Sequence, residues 1–163
     1  MKFPIKIYTT DSVTILKSSE ELEEFASHYN LMKAAGGLVF NEVGEVLMIY
    51  KKGHYDFPKG KIEEHEPADK AALREIREET GVQTITIGKE LATTFHTYAF
   101  ENEEIPVLKE TTWYKFNAPS IQELLPQTEE HITKVEWIKK EKVPSLLSNS
   151  YLSLQDLWQK VIE

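Results

Sequence analysis

Three glutamates, Glu75, Glu78 and Glu79, stand together in the run Arg74-Glu75-Ile76-Arg77-Glu78-Glu79-Thr80-Gly81. On a helix turning about 100° per residue they fall within one arc. Like charges so spaced repel one another by roughly a few tenths of a kcal/mol. Acid gathered near a helix C-terminus also opposes the macrodipole, which favours cations there. A divalent cation bound to this face relieves both costs at once. Clustered oxygen donors with a water shell suit Mg²⁺ or Mn²⁺ rather than zinc. The alternative is a solvated acidic face in which Arg74 and Arg77 supply the compensating charge. Two neighbouring features favour the metal site. Ala68, Ala71 and Ala72 continue the arc toward the helix start, which makes that surface small and apolar, as a buried face would be. Ahead of the helix, Phe57-Pro58-Lys59-Gly60-Lys61-Ile62-Glu63 is a loop bearing Gly and Lys, suited to bring backbone groups and cations to a phosphate.

These residues need elements to hold them. Pro67 at a first helical position opens the carboxylate helix, and Gly81 is a good stop. Before it, Ala34 to Phe40 and Val46 to Tyr50 read as two buried strands joined by a turn at Asn41-Glu42-Val43-Gly44. After it, Thr84 to Phe100 and Val107 to Asn117 are rich in β-branched and aromatic residues and form an expected antiparallel pair, with Glu101 to Pro106 as the turn. Ile132 to Ile138 is a further strand. The tail from Val143 to Ile162 reads as helix, broken near Asn149-Ser150. At the N-terminus, apolar alternation (Phe3, Ile5, Ile7, then Val13, Ile15) marks two short strands around a turn at Thr10-Asp11. Ser18 with Glu21 is a capping box for a helix from Glu20 to Tyr29. Strands and helices in this order give an α/β (α+β) class with a mixed sheet. Residues 1–31 are expected to be a small N-terminal extension of two strands and a helix, and residues 32–163 the main domain.

The 163 residues suffice for one ordinary domain with a real core. A formal net charge of -8 argues against nonspecific DNA binding, which needs a basic surface. It leaves room for a phosphate-rich substrate, because a metal ion reverses the local field. With no cysteine, thiol catalysis, disulfides and thiolate metal sites are excluded. Lys6, Thr9, Thr10 and Asp11 interrupt any signal-peptide core, and no run approaches the roughly 18 apolar residues of a membrane span. A cytoplasmic protein is the expectation.

Gly60, five residues, Glu66, seven residues, then Arg74 to Val82 resembles a complete Nudix box with every fixed position filled. The box spans only Gly60 to Val82, but the strand pattern from about Met32 onward also resembles the Nudix fold, a mixed sheet in an α/β/α sandwich carrying a loop-helix-loop motif. The resemblance implies that Glu78 and Glu79 hold divalent metal, directly or through water. It makes Glu75 a further ligand, or the group that orients and deprotonates the attacking water. Gly60 brings the backbone close to the metal, Arg74 pairs with a box glutamate to fix the helix, Glu66 is structural, and Gly81 ends the helix. Family members often recruit one more acid from outside the box. Glu129 and Glu130 are the candidates here, with Glu130 preferred as a metal ligand. Glu101, Glu103 and Glu104 sit at an expected hairpin tip and face solvent.

The reaction so implied is Mg²⁺-dependent hydrolysis of a phosphoanhydride, without a covalent intermediate. Lys51, Lys52, His54, Lys59 and Lys61 gather basic charge around the box, as gripping a polyphosphate requires. A charged strand end is the other account of Lys51-Lys52. The entry Phe57-Pro58-Lys59-Gly60-Lys61 resembles members acting on dinucleoside polyphosphates, inositol pyrophosphates or capped mRNA. Tyr98, sixteen residues after Val82, resembles the nucleotide-contacting tyrosine of diadenosine polyphosphate hydrolases. Nucleotide-sugar hydrolases tend to carry proline there instead, and the next proline here is Pro106. Cross-strand packing beside His96 and Phe100 is the other account of Tyr98. Trp113 and Tyr114 read as sheet residues, and Trp137 resembles a core tryptophan of the family. The favoured substrate is a dinucleoside polyphosphate. Oxidised nucleoside triphosphates, inositol pyrophosphates and RNA 5′ ends are enzymatic alternatives, and a non-catalytic nucleotide sensor is the alternative of another class. The N-terminal strands are suited to pairing with a neighbour's sheet edge, which would make a homodimer.

Overall fold

A computed structural model describes residues 1–10 and 12–162. The alternating N-terminal residues form β1 (Ile5–Tyr8) and β2 (Val13–Leu16), antiparallel with Tyr8 opposite Val13. Asp11, half of the expected turn, lies outside the described residues. Ser18 caps α1 (Ser19–Ala26), its Oγ accepting the Glu21 N–H at 3.2 Å while the Glu21 carboxylate accepts the Lys17 N–H at 2.6 Å. The helix stops short of the expected Tyr29 because the chain must be extended by Asn30. There the Asn30 N–H donates to the Pro106 carbonyl at 2.9 Å, and β3 (Asn30–Phe40) begins its pairing with β8 (Val107–Asn117). β3 therefore starts ahead of the expected Ala34.

Asn41 Oδ1 accepts the N–H groups of Val43 and Glu45 and closes the turn into β4 (Val46–Lys51). Two short strands depart from the sequence expectation. Lys52 and Gly53, at φ 50° and 84°, make a two-residue turn that folds β5 (His54–Asp56) back onto β4. β6 (Lys59–Lys61) then pairs with β3, placing Gly60 opposite Ala35. The carboxylate helix α2 runs Ala68–Thr80. Pro67 is extended (ψ 145°) and caps it instead of occupying its first turn, a difference of one position. β7 (Thr86–Tyr98) pairs antiparallel with β8. β9 (Ile132–Ile138), α3 (Val143–Leu147) and α4 (Leu152–Ile162) complete the chain, the last two separated at Asn149-Ser150 as expected.

The strands form one sheet in the order β2-β1-β7-β8-β3-β4-β5, with β6 also on β3 and β9 on β4. β3–β8 and β1–β7 are parallel and the remaining pairs antiparallel, so the sheet is mixed. Ala71, Ala72 and Ile76 of α2 pack on Ala35, Val39 and Phe116 of one face. Leu147, Leu154 and Trp158 of α3 and α4 pack on Leu38, Met48 and Trp113 of the other. The class is thus mixed α/β with helices on both sides of the sheet. β1 lies along β7 of its own chain, with Ile7 beside Phe95, and leaves β2 as the outer edge. Ile7 joins Phe95, Leu108 and α1 residues such as Leu22 in a third apolar cluster. Among the described residues no helix is long and apolar enough to cross a membrane.

Gly81 ends α2 at φ 79°, and a Cβ there would stand 2.6 Å from the Leu125 nitrogen. The same segment satisfies the open end of the helix, because the Leu125 N–H donates to the Thr80 carbonyl at 2.8 Å. Gly81→Ala therefore meets both a left-handed backbone and a clash. It should lose about 2 kcal/mol or more in urea denaturation. A change under about 0.5 kcal/mol would show that the helix end relaxes freely.

Candidate active site

The apolar stripe that docks α2 on the sheet also decides where its acids point. Ala72 and Ile76 are fully buried, and Glu79, one turn or so along, is carried inward to 3% exposure. Glu78 lies at the margin, its side chain 46% exposed, and Glu75 is intermediate at 15%. Arg74 ties the group together. Its guanidinium grips Glu66 through two bonds, Nε to Oε2 at 2.8 Å and Nη2 to Oε1 at 2.9 Å. Nη1 reaches Glu75 Oε1 at 2.8 Å and Glu78 Oε2 at 3.4 Å, and Nη2 also donates to the Lys61 carbonyl at 3.0 Å. This fork holds the Glu66 carboxyl down at about 2, so the clamp stays charged at any working pH.

The loop before the helix closes on it with very little space. A Cβ on Gly60 would fall 2.1 Å from the Glu75 carboxyl carbon, so only glycine lets the two surfaces meet. The Lys59 N–H donates to Glu79 Oε1 at 2.7 Å. Lys51 Nζ stands 3.9 Å from Glu79 Oε2 and 3.9 Å from Glu130 Oε2. Glu130 arrives there on a 3₁₀ turn (Thr128–Glu130) that follows directly from the segment capping α2. Burial raises the Glu79 carboxyl to about 7, against the opposing pull of Lys59 and Lys51. Burial likewise raises Glu75, opposed by Arg74 and assisted by Glu78 and Glu130. Among the described residues no three acids converge into a ready-made cage; each carboxylate is turned toward a cationic side chain. The donor set nonetheless fits a hard divalent cation. It consists of carboxylate oxygens beside a backbone that only glycine permits, with one acid so buried that its charge calls for a close cation.

Beside this group lies a cleft of about 550 Å³. Its lining includes five of the residues singled out in the sequence: Lys51, Lys52, His54, Lys59 and Tyr98, and His96 joins them. Lys61 is exposed and lies outside it, its carbonyl accepting from Arg74 Nη2. Glu129, Glu101, Glu103 and Glu104 are exposed and stand outside the cleft lining. Trp113 is core, and Trp137 is half-buried against the α2 cluster. Lys59 connects the two halves of the site, for its backbone holds Glu79 while its ammonium pairs with buried Asp56 inside the cleft. Burial alone would lower the Lys59 ammonium, but Asp56 and Glu79 hold it above its usual value. Lys109 is the opposite case. Burial, with Lys59 nearby, brings it down to about 8, and its Nζ lies 5.2 Å from the centre of the Tyr98 ring.

Asp56, Lys109 and Tyr151 were not evident from the sequence. Lys109 carried one signal, an ammonium in a strand whose neighbours Leu108 and Trp113 are apolar. Tyr151, in the break between α3 and α4, stacks on His96 at 5.6 Å and 26°. His96 is pushed down to about 4, chiefly by burial and then by Lys59 and Lys109. Since the unfolded imidazole titrates at 6.5, the unfolded chain takes up its proton first, and stability is lost as pH falls from 6.5 toward 4. His96→Asn should remove this loss, which amounts to at most about 3 kcal/mol. Thermal melts of both proteins at pH 7 and pH 5 measure it, and an unchanged pH slope in the variant would contradict the assignment.

Known proteins resemble this chain in sequence and in fold. The m7GpppN-mRNA hydrolase dcap-2 of Caenorhabditis elegans is 31% identical over 134 residues, covering 79% of this chain and 16% of that protein. The putative 8-oxo-dGTP diphosphatase YtkD of Bacillus subtilis is 32% identical over 98 residues, covering 55% of this chain and 61% of that protein. The chain thus spans less than two thirds of either relative. A solved binary complex of the C. elegans Ap4A hydrolase superposes with a TM-score of 0.62 at 20% identity, covering 80% of this chain and 95% of that one, a likeness of fold. The family model described as the NUDIX domain matches residues 30–156, most of the chain, and the protein belongs to that family.

Proposed function

We propose that the protein hydrolyses a phosphoanhydride bond in a nucleoside polyphosphate, with a dinucleoside polyphosphate as the favoured substrate. The observation that carries this reading is Lys59, which joins the carboxylate helix to a cleft lined by lysines and aromatic rings. Proteins of the family generally use divalent metal ions. Here Glu78 and Glu79 would hold Mg²⁺, with Mn²⁺ as a substitute, and Glu130 and the Gly60 backbone would complete the donor set. Such an ion supplies charge neutralisation at the phosphate oxygens and a more acidic water.

The chain's own residues do the rest. Lys51, Lys59 and Lys109 bind the polyphosphate as point charges along the cleft floor. Glu79, fixed by the Lys59 N–H, keeps the helix in register with that floor. Glu75 accepts the proton of the attacking water; burial raises its proton affinity, and Arg74 holds its carboxylate in place. Arg74 and Glu66 position the helix and do not touch substrate. Tyr98, with Phe100 beside it at 5.3 Å, offers an aromatic surface to a base.

The substrate preference draws on Tyr98 and on the fold of the Ap4A hydrolase. The relatives named as an mRNA hydrolase and an 8-oxo-dGTP diphosphatase make capped RNA and oxidised nucleotides the necessary comparisons. Specificity constants with Mg²⁺ should rank dinucleoside polyphosphates above capped RNA, 8-oxo-dGTP, inositol pyrophosphates and nucleotide sugars. A tenfold or greater advantage for any of the others overturns the preference. Absence of Mg²⁺-dependent turnover on the whole panel overturns the catalytic reading.

A further inference from the structure

The far end of the cleft is built by residues that precede the matched family domain. That domain starts at residue 30, yet Tyr8, Thr9 and Thr10 line the cleft. The strand register explains how. β1 runs parallel to β7 with Ile7 beside Phe95 and Tyr8 beside His96, and His96 in turn faces Lys109 on β8. Because side chains alternate across a strand, Ile7 is committed to the apolar cluster with Phe95 and Leu108. Tyr8 is thereby committed to the opposite face, in one row with His96 and Lys109. A one-residue slip would turn Tyr8 into the apolar cluster and Ile7 toward the cleft, so the core anchors the row.

We infer that the segment from Tyr8 to Thr10, at the end of β1, is a specificity element that walls the cleft around the base of a nucleotide. This rests on the nucleoside-polyphosphate reading and adds to it the part of the chain that does the selecting. Three observations carry it. First, the lysines of the cleft, Lys51, Lys52, Lys59 and Lys109, belong to β4, the turn after it, β6 and β8, whereas the segment from Tyr8 to Thr10 brings hydroxyl groups. Second, the Tyr8 hydroxyl is buried and, among the described residues, has no hydrogen-bond partner, Tyr8 as a whole being 8% exposed. An orphaned hydroxyl at a cleft wall is costly unless a ligand satisfies it. Third, the row ends against flat rings. His96 lies between Tyr98 at 5.7 Å and Tyr151 at 5.6 Å, and the Tyr151 segment is tied to β5 by a 2.7 Å contact between His54 Nδ1 and the Asn149 carbonyl.

Aromatic faces beside the orphaned Tyr8 hydroxyl suit a neutral heteroaromatic base with a hydrogen-bonding edge. Thr9 has a different task, since its Oγ1 bonds to the Ser12 Oγ at 2.6 Å and accepts the Ser12 N–H at 3.1 Å, bracing the turn. Tyr8 and Thr10 are therefore the residues to alter.

The test measures binding, so that it does not depend on turnover. Calorimetry compares imido-bridged adenosine and guanosine triphosphates with inorganic tripolyphosphate, each with Mg²⁺, on the full chain. Wild type should bind at least one nucleotide about tenfold or more tightly than tripolyphosphate. Tyr8→Phe and Thr10→Val should each weaken that nucleotide by about three- to tenfold, the effect of one hydrogen bond, and leave tripolyphosphate binding unchanged without lowering the melting temperature. Equal binding of nucleotide and tripolyphosphate by wild type overturns the inference. So do variants that retain the full nucleotide advantage, or that weaken both ligands alike. Loss of the catalytic reading would appear instead as wild-type binding without hydrolysis of the substrate panel.

Discussion

Glu79→Gln is expected to lower Mg²⁺-dependent hydrolysis by about three orders of magnitude while leaving the protein folded and no less stable. The two halves of that expectation come from the same geometry. Gln keeps the shape of the side chain and can still accept the Lys59 N–H through its carbonyl oxygen, so the loop and helix stay joined. What it removes is a negative charge held at 3% exposure, whose ionisation burial opposes up to about pH 7. Losing that charge costs about 4 kcal/mol of transition-state stabilisation if the carboxylate holds the catalytic ion, and a thousandfold follows. Stability moves the other way. The folded carboxyl titrates at about 7 and the unfolded one at 4.5, so the folded protein binds the extra proton between these values. Metal-free wild type should thus lose stability as pH rises from 4.5 to 7, and Glu79→Gln should not. Initial rates with Mg²⁺ and melts in chelator at pH 5 and pH 8 test both halves. Unchanged rates, or a variant that melts well below wild type at pH 8, would remove Glu79 from the proposed role.

Gly60→Ala is the second large effect, and it acts on a different residue. The added methyl carbon would stand 2.1 to 2.4 Å from the carboxylate atoms of Glu75. Glu75 cannot simply swing away, because Arg74 holds it at 2.8 Å and itself is held by Glu66. Either the β6 backbone lifts from β3 or the carboxylate leaves its place. A displacement of about 1 Å at a proton-accepting group costs about 100-fold in rate. Glu75→Ala supplies the control, since it deletes the atoms that clash. In that background Gly60→Ala should change the rate by less than about threefold, a strongly non-additive cycle. Additive losses would mean that Gly60 matters through its backbone alone.

The regular part of this architecture was legible because one side of each element is buried. The arc of Ala68, Ala71 and Ala72 between Pro67 and Gly81 marked α2, and richness in β-branched and aromatic residues marked β7 and β8. β5 and β6 were not legible. At three residues each, they are strands only because β4 and β3 offer them partners, and the turn between β4 and β5 uses Lys52 where Asn or Gly would have announced it. The box glutamates carried a local signal. The cleft did not, since it draws Lys51, His96 and Lys109 from three strands and Tyr151 from the break between α3 and α4. Asp56 illustrates the limit. In the sequence it is one acid among many, and only the fold buries it against Lys59.

The long parallel ladder between β3 and β8 has a kinetic corollary. It joins Asn30 to Val107 and Phe40 to Asn117, so closing it gathers the ends of a large intervening loop before any ladder bond is gained. That loop contains β4, β5, β6, α2 and β7. The Arg74–Glu66 clamp spans eight residues and can assemble early, but Lys109 reaches the cleft only when β8 docks. Refolding should therefore be slow for a chain of this size, as sequence-distant strand pairing dictates. Helical signal should return ahead of ligand binding, and during synthesis the carboxylate helix waits on a strand made some thirty residues later.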